Sequence, residues 1–88
     1  MKVTKRNGRL VFYDDEKIVR SILRANAETD EQLTNSGASY LAGVVFGRLA
    51  DEHEIITTQE IRDGVVRALK EKGLYLTAER YLHYEKQK

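Results

Sequence analysis

The sequence of 88 residues contains no cysteine, no proline and no tryptophan. Without cysteine, disulfide bridges, thiolate metal sites and cysteine nucleophiles are excluded, and folding does not depend on the redox state of the compartment. No stretch reaches the about 18 consecutive apolar residues of a membrane span, and the opening residues lack the apolar run of a signal peptide. We therefore expect a soluble, unprocessed chain in the cytoplasm, with no membrane as partner.

The sequence also lacks the motifs of several kinds of catalysis. It contains no Gly-x-x-x-x-Gly-Lys-Ser/Thr loop, which excludes the P-loop mechanism of phosphoryl transfer. His53 and His83 are far apart in sequence and have no matching ligand cluster, so we expect no metal site built from protein groups. Acid pairs such as Asp14-Asp15 fall at apparent helix ends, where the carboxyls are too solvated for general acid–base work. We predict that the chain is not an enzyme.

Composition and charge indicate a globular domain with an uneven distribution of charge. The chain is 41% hydrophobic and 33% charged, which is typical of a folded domain, and we expect residues 1–88 to form a single one. The net charge is only +1, but residues 1–24 sum to +4, residues 25–54 to −5 and residues 55–88 to +2. This polarity favours an anion site built from the two ends of the chain, with ordinary solvated charge as the alternative.

The N-terminal residues predict a β-hairpin. Residues 2–7 and 9–14 alternate and are rich in Val, Thr, Leu, Phe and Tyr, and Asn7-Gly8 between them favours a two-residue type I′ turn. In that register Val3 pairs with Phe12 and Thr4 with Val11. The face expected to pack on the helices then carries Val3, Lys5, Leu10 and Phe12.

The rest of the chain predicts four helices and a third strand. We expect a helix over about residues 15–27, capped by Asp14 or Asp15, and a second over about residues 37–51. A strand at 54–58 follows, then a helix capped by Thr57 or Thr58 that ends at Gly73, and a last helix in "LYLTAERYLHYEKQK". The order β-β-α-α-β-α-α predicts an α+β fold, a small four-helix bundle capped by the hairpin and the third strand.

The second helix has an apolar stripe and two interior glycines. Tyr40, Leu41, Val44, Val45 and Leu49 form a stripe wide enough to be largely buried. Gly43 and Gly47 lower helix stability, and we interpret them as positions of close packing within the chain. Close approach of another helix or of a ligand is the alternative.

The cations of the hairpin indicate a nearby anion. Lys5 shares a face with apolar side chains, so its ammonium must extend to solvent, lose its charge or meet an anion. In the predicted register Arg6 lies opposite Arg9, and the two repel each other unless an anion such as a phosphate lies between them.

Two predicted helix starts carry cations as well. Lys17 lies in the first turn of its helix, where unpaired backbone N–H groups already favour anions, although the acids at 14–16 are alternative partners. Thr58 and Arg62 are four residues apart and share a helical face near the end of the third strand. Together with the hairpin they could form a pocket for a polyphosphate.

These segments resemble a known family. "VTKRNGRLVFYDDEKIVRSIL", "EIITTQEIRDGVVRALKEKG" and "AERYLHY" together resemble the ATP-cone domain over essentially all 88 residues. The most specific part is the Val-x-Lys-Arg-(Asn/Asp)-Gly opening, with Lys-Ile nine residues after the glycine. ATP-cones are four-helix bundles with a small β-sheet, and they bind ATP or dATP as regulators without doing chemistry themselves.

The resemblance implies a function and a set of binding residues. The domain would control the activity or assembly of a ribonucleotide reductase or a related protein, with reductase subunits or a second copy as partner, and Mg²⁺ could accompany the nucleotide through its phosphates. The implied binding residues at the start of the hairpin would bind phosphates and line the nucleotide. The implied residues between positions 11 and 18 would approach the base and neighbouring phosphates, and those of the third helix would meet ribose or phosphate. The implied set is Val3, Lys5, Arg6, Val11, Asp14, Lys17, Ile18, Thr58, Arg62 and Lys86.

One departure and two alternatives accompany this interpretation. Many family members have a Tyr-Arg pair in the last helix, whereas this chain has Tyr84-Glu85, so the distal cation would come from Lys86 or Lys88 or be missing. One alternative is a basic-hairpin module for nucleic acid with Tyr13 or Phe12 stacking on bases, which the near-neutral net charge disfavours. The other is a degenerate cone that serves only as an oligomerisation surface.

Overall fold

The computed structural model describes residues 1–86, apart from the side chains of Glu52 and Lys86. Its seven elements follow one another in the predicted order, and the α+β fold is confirmed. They are β1 (Lys2–Thr4), β2 (Leu10–Phe12), α1 (Asp15–Asn26), α2 (Asn35–Glu52), β3 (Ile55–Thr57), α3 (Thr58–Glu71) and α4 (Tyr75–Lys86). No helix in the described part of the chain is long and apolar enough to cross a membrane.

The turn of the hairpin differs from the prediction. The Lys5 N–H donates to the Arg9 carbonyl and the Gly8 N–H donates to the Lys5 carbonyl, both at 2.8 Å, which leaves three residues in the loop. Within it only Gly8 has a positive φ, 83°, as in a type I turn followed by a glycine bulge. A type I′ turn also needs a positive φ at Asn7, which a residue with a Cβ adopts less readily. The predicted two-residue turn is therefore wrong.

The three-residue loop shifts the strand register by one position. Val3 lies opposite Val11, and Thr4 lies opposite Leu10, so the predicted pairs Val3–Phe12 and Thr4–Val11 are wrong. Because side chains alternate between the two faces of a strand, the shift turns Leu10 and Phe12 away from the helices. They are 51% and 76% exposed, whereas Val3 and Val11 pack on the core.

The shift also changes the environment of the hairpin cations. Arg6 lies in the loop, so the predicted cross-strand pair of Arg6 with Arg9 is wrong. Lys5 remains on the same side of β1 as Val3, as predicted, because the two are separated by two positions. Lys5 is exposed, so its ammonium extends to solvent past the apolar residues.

The central strand of the sheet is β1, which pairs antiparallel with β2 and parallel with β3. The third strand continues directly into α3, because Thr57 is both its last residue and the N-cap of the helix. The Thr57 hydroxyl accepts from the Glu60 N–H at 3.1 Å, and the Glu60 carboxylate accepts from the Thr57 N–H at 3.0 Å. This reciprocal cap fixes where α3 begins below the sheet.

The core lies between one face of the sheet and the four helices. Ile56 of β3, Ile22 of α1, Val45 of α2 and Leu69 of α3 are almost completely buried, and Tyr81 of α4 is 2% exposed. These residues belong to one cluster to which β1, β3 and all four helices contribute. We call the sheet face that packs on this cluster the inner face.

Two predictions for α2 are wrong. Tyr40 is 55% exposed, and the Lys72 ammonium lies 5.1 Å from the centre of its ring, so it is not part of the buried stripe. A Cβ atom added at Gly43 or at Gly47 would meet no described atom of the chain within 4 Å. These two glycines are therefore not required for close packing within the chain.

A polar cluster joins residues 27–34, which connect α1 to α2, to the start of α4. The Glu31 carboxylate accepts from the Thr77 N–H and hydroxyl, both at 2.7 Å, and from the Leu76 N–H at 3.1 Å. Asn26 donates to the Thr77 hydroxyl at 3.1 Å, and Thr77 is completely buried. Burial tends to raise the pKa of the Glu31 carboxyl, but the hydrogen bonds from Thr77 and Leu76 outweigh it and lower the pKa.

Candidate functional site

A groove of about 580 Å³ lies between the inner face of the sheet and the ends of three helices. Its walls come from the hairpin, α1, α3 and α4. The residues that define the groove are Val3, Lys5, Arg6, Asn7, Val11, Phe12, Tyr13, Asp14, Lys17, Ile18, Ser21, Thr58, Ile61, Tyr81 and Glu85. The groove is large enough for a small-molecule ligand.

Positive charge is concentrated at the hairpin side of the groove. Lys5, Arg6 and Lys17 line it. The first turns of α1 and α3 also reach it, through Lys17 and Thr58, and the start of a helix presents N–H groups and a partial positive charge. Three cations and two helix starts on one cavity favour a ligand with several negative charges.

The floor of the groove is apolar. Val3, Ile61 and Tyr81 line it and are 4%, 8% and 2% exposed. The half-buried Ile18 contributes a further aliphatic side chain. A flat apolar group such as a nucleobase could bury its faces against these residues, while the charged part of the ligand remains at the hairpin.

Two tyrosines in the walls stay protonated at neutral pH. Burial, followed by the nearby Asp15 carboxylate, raises the pKa of Tyr13 to about 12. Burial, followed by the Glu85 carboxylate, also raises the pKa of Tyr81. The Tyr13 hydroxyl therefore remains a hydrogen-bond donor, and it donates to the Ala42 carbonyl of α2 at 3.3 Å.

Two carboxylates also line the groove. Asp14 caps α1, and its Oδ1 accepts from the Lys17 N–H at 3.2 Å. Glu85 lies in the wall formed by α4. Because carboxylates repel phosphates, Asp14 and Glu85 suit the part of a ligand that carries hydrogen-bond donors, such as an amino group or a hydroxyl.

The family model of the ATP cone domain matches residues 1–88, the whole chain. The chain belongs to the ATP-cone family. No curated protein matches it. ATP-cones bind ATP or dATP and are regulatory rather than catalytic domains, so this chain carries a nucleotide-binding regulatory domain.

The ATP-cone groove contains most of the residues that the sequence predicts as its site. Eight of the ten line it, namely Val3, Lys5, Arg6, Val11, Asp14, Lys17, Ile18 and Thr58. Arg62 is not among the described lining residues, and the side chain of Lys86 lies outside the described residues. Folding thus brings together hairpin and α3 residues that are more than 50 positions apart in the sequence.

Arg62 lies close to Tyr81 but is not a described lining residue of the ATP-cone groove. Its guanidinium Nε is 3.7 Å from the Asp63 carboxylate, and 20% of its side chain is exposed. The Nε atom is buried without a hydrogen-bond partner among the described residues. Its positive charge lies close enough to Tyr81 to oppose the increase in the pKa of that tyrosine.

Several residues of the ATP-cone groove were missed in the sequence. Ser21 follows Lys17 by one helical turn and Ile61 follows Thr58 by three positions, so helical spacing could have added both. Tyr81 and Glu85 belong to the predicted last helix, but the sequence contains no signal for how α4 crosses the end of the sheet. Glu85 was noticed only as a departure from the family pattern, and the position of both residues in the wall was accessible only from the tertiary structure.

Proposed function

We propose that this ATP-cone is an allosteric domain that binds ATP or dATP in the groove. Binding would control the activity or oligomeric assembly of a ribonucleotide reductase or a related protein. The observation that carries the proposal is that Lys5, Arg6 and Lys17 line the same groove as the starts of two helices and an apolar floor. That combination matches a ligand with a polyphosphate at one end and a flat base at the other.

The groove supports a division of roles between the two ends of the nucleotide. Lys5, Arg6 and Lys17 would neutralise phosphates, and Val3 and Ile18 would contact the base. Asp14 and Thr58 would meet donors of the base and the ribose. Val11 would line the inner face of the sheet beside the nucleotide.

Three further parts of the proposal concern residues and ions at the edge of the groove. Arg62, near Tyr81, would contribute positive charge, and Lys86 would supply the distal cation. Mg²⁺ would bind through the phosphates, because it retains several waters and usually needs few protein ligands. Among the described residues no group of three His, Cys, Asp or Glu side chains could hold a metal.

The proposal also treats the chain as one domain. The family match over residues 1–88 and the single core to which all four helices contribute support this. A cytoplasmic location and a reductase subunit or a second copy as partner complete the proposal.

Calorimetric titration with ATP, dATP and GTP tests the proposed function. We expect both adenine nucleotides to bind, with different affinities or enthalpies, because a regulator can distinguish two ligands only through a difference in free energy. GTP is the matched control, since it has the same phosphates and a different base. No heat from either adenine nucleotide at millimolar concentration would contradict the proposal.

A single-stranded oligonucleotide tests the alternative function. Phe12 is 76% exposed and also borders the groove, so a base could stack on its ring. Binding that weakens steeply with salt, and that ATP does not displace, would favour the nucleic-acid module over the regulator.

A further inference from the structure

One helix is separated from the groove. The described walls come from the hairpin, α1, α3 and α4, and no described residue of α2 lines the groove. The most direct path from the groove to the outer surface of α2 (Asn35–Glu52) is therefore a single side chain that touches both.

Tyr13 is such a side chain. It lines the groove, and its hydroxyl donates to the Ala42 carbonyl in the middle of α2 at 3.3 Å. Its ring also packs edge-on against Phe46 of α2, with ring centres 5.1 Å apart and planes at 61°. Phe46 in turn is 38% exposed, so this chain of contacts runs from the groove to solvent.

The two contacts meet at the same helical turn. In an α-helix the carbonyl of residue 42 also accepts from the N–H of residue 46. The Tyr13 hydroxyl thus contacts the acceptor residue of this backbone hydrogen bond, Ala42, and the Tyr13 ring contacts the donor residue, Phe46. A shift of Tyr13 would change the geometry of that bond and the packing of the Phe46 ring together.

We propose that Tyr13 is a positioning residue that couples occupancy of the groove to α2, so that nucleotide binding is sensed at the outer surface around Phe46. This inference rests on the proposed nucleotide binding. A ligand on the apolar floor presses against the Tyr13 ring, which transmits the displacement to residues 42–46. A substitution at Phe46 that disturbs this contact differently in the free and in the occupied protein then alters the affinity of the groove for the nucleotide.

The first test follows backbone amides by NMR in the whole isotope-labelled chain at saturating ATP. We expect ATP to shift the amide signals of Lys5 and Lys17 and, in addition, those of residues 42–47. Residues 28–31, in the connection beside α4, serve as the internal control. Tyr13→Phe removes the hydroxyl and keeps the ring, and we expect it to reduce the shifts at 42–47 at least twofold at saturating ATP.

The second test uses two exposed aromatic residues of α2 as a matched pair. Phe46→Leu removes the ring that touches Tyr13, and we expect it to weaken ATP binding about three- to tenfold although Phe46 is outside the groove. Tyr40→Leu removes a ring that contacts Lys72 instead, and we expect an affinity within about twofold of the wild type.

The outcomes separate the two proposals. No ATP heat and no shifts at Lys5 and Lys17 contradict the proposed function. Shifts at Lys5 and Lys17 without shifts at 42–47 leave nucleotide binding intact and overturn the coupling through Tyr13. Equal affinities for Phe46→Leu and Tyr40→Leu overturn it as well, since reciprocity requires an effect specific to Phe46.

Discussion

Lys5 and Arg9 are two cations of the same hairpin that differ in their relation to the groove. They are joined by the Lys5 N–H bond to the Arg9 carbonyl, but only Lys5 lines the described walls. Each can be replaced by alanine without changing the turn, which depends on Gly8. The pair therefore separates a specific phosphate contact from general positive charge.

We predict that Lys5→Ala weakens ATP binding about 10- to 100-fold, because a hydrogen bond to a charged group contributes about 1.5–3 kcal/mol. Arg9→Ala should weaken it by no more than about threefold. Calorimetric titration at one fixed ionic strength measures both. Equal losses in the two variants would mean that the nucleotide senses the overall charge of the hairpin rather than a site at Lys5.

At the residue scale, the cations of the site were predictable and its carboxylates were only partly so. Lys5 and Lys17 were identifiable because a cation beside apolar strand residues, or in the first turn of a helix, is unfavourable unless it reaches solvent or meets an anion. Glu85 was noticed as a departure from the family pattern. Its location in the wall depends on the path of α4, which no local rule determines.

At the scale of elements, Glu31 acts as the N-cap of α4 although it belongs to the connection between α1 and α2. We predict that Glu31→Gln lowers the midpoint of thermal unfolding at pH 7 more than Glu28→Gln does. Glu28 is the matched control because the only described partner of its carboxylate is Arg80, 3.0 Å away, in a partly exposed pair, and ion pairs that reach solvent contribute little. Similar midpoints for the two variants would contradict a capping role of Glu31.

The same carboxylate should make stability depend on pH. The folded state lowers the pKa of Glu31 from its ordinary value of 4.5, so its contribution is fully present above that value. It is lost as the pH falls through the lower pKa of the folded state. Unfolding midpoints measured from pH 7 down to pH 3 should therefore show the difference between wild type and Glu31→Gln decreasing in the acid range. A difference that does not change with pH would contradict this assignment.

The glycines of α2 give a prediction in the opposite direction. Gly43→Ala should stabilise the chain by about 0.5–1 kcal/mol, because the added Cβ meets no described atom within 4 Å and reduces the entropy of the unfolded chain. Gly73→Ala is the control, since its φ of 78° strains a residue with a Cβ, and it should destabilise by about 1 kcal/mol. Chemical denaturation measures both, and a destabilised Gly43→Ala would show that α2 needs glycine there.

Most element boundaries were accessible from the sequence because caps act locally. Asp14 and Thr57, each one of two candidates that the sequence offered, are the N-caps of α1 and α3. As predicted, α3 ends in the turn at Gly73. The hairpin register was the exception. Asn-Gly fits both a two-residue type I′ turn and a three-residue loop with a glycine bulge, and a shift of one residue exchanges the faces of β2.

At the scale of the whole molecule, the structure shows which of the charged segments of the chain lines the groove. The basic N-terminal segment supplies Lys5, Arg6 and Lys17 to the groove. The acidic central segment includes α2, and no described residue of α2 lines the groove. The sequence favoured an anion site built from both ends of the chain, and Lys5, Arg6 and Lys17 come from one of them. The expectation that both ends contribute cations depends on Arg62 and Lys86, which are not among the described lining residues.

Local chemistry in the sequence was sufficient for the element order, for the candidate caps of α1 and α3 and for the cations that line the groove. Helical and strand periodicity, cap residues and turn residues act over a few positions, so they can be interpreted without knowing the fold. The tertiary structure decided which face of β2 packs inward, which glycines of α2 are open, that Glu31 caps a distant helix and that Tyr13 joins the groove to α2. Each of these depends on contacts between residues far apart in sequence, and such contacts are defined only when the elements pack around one core.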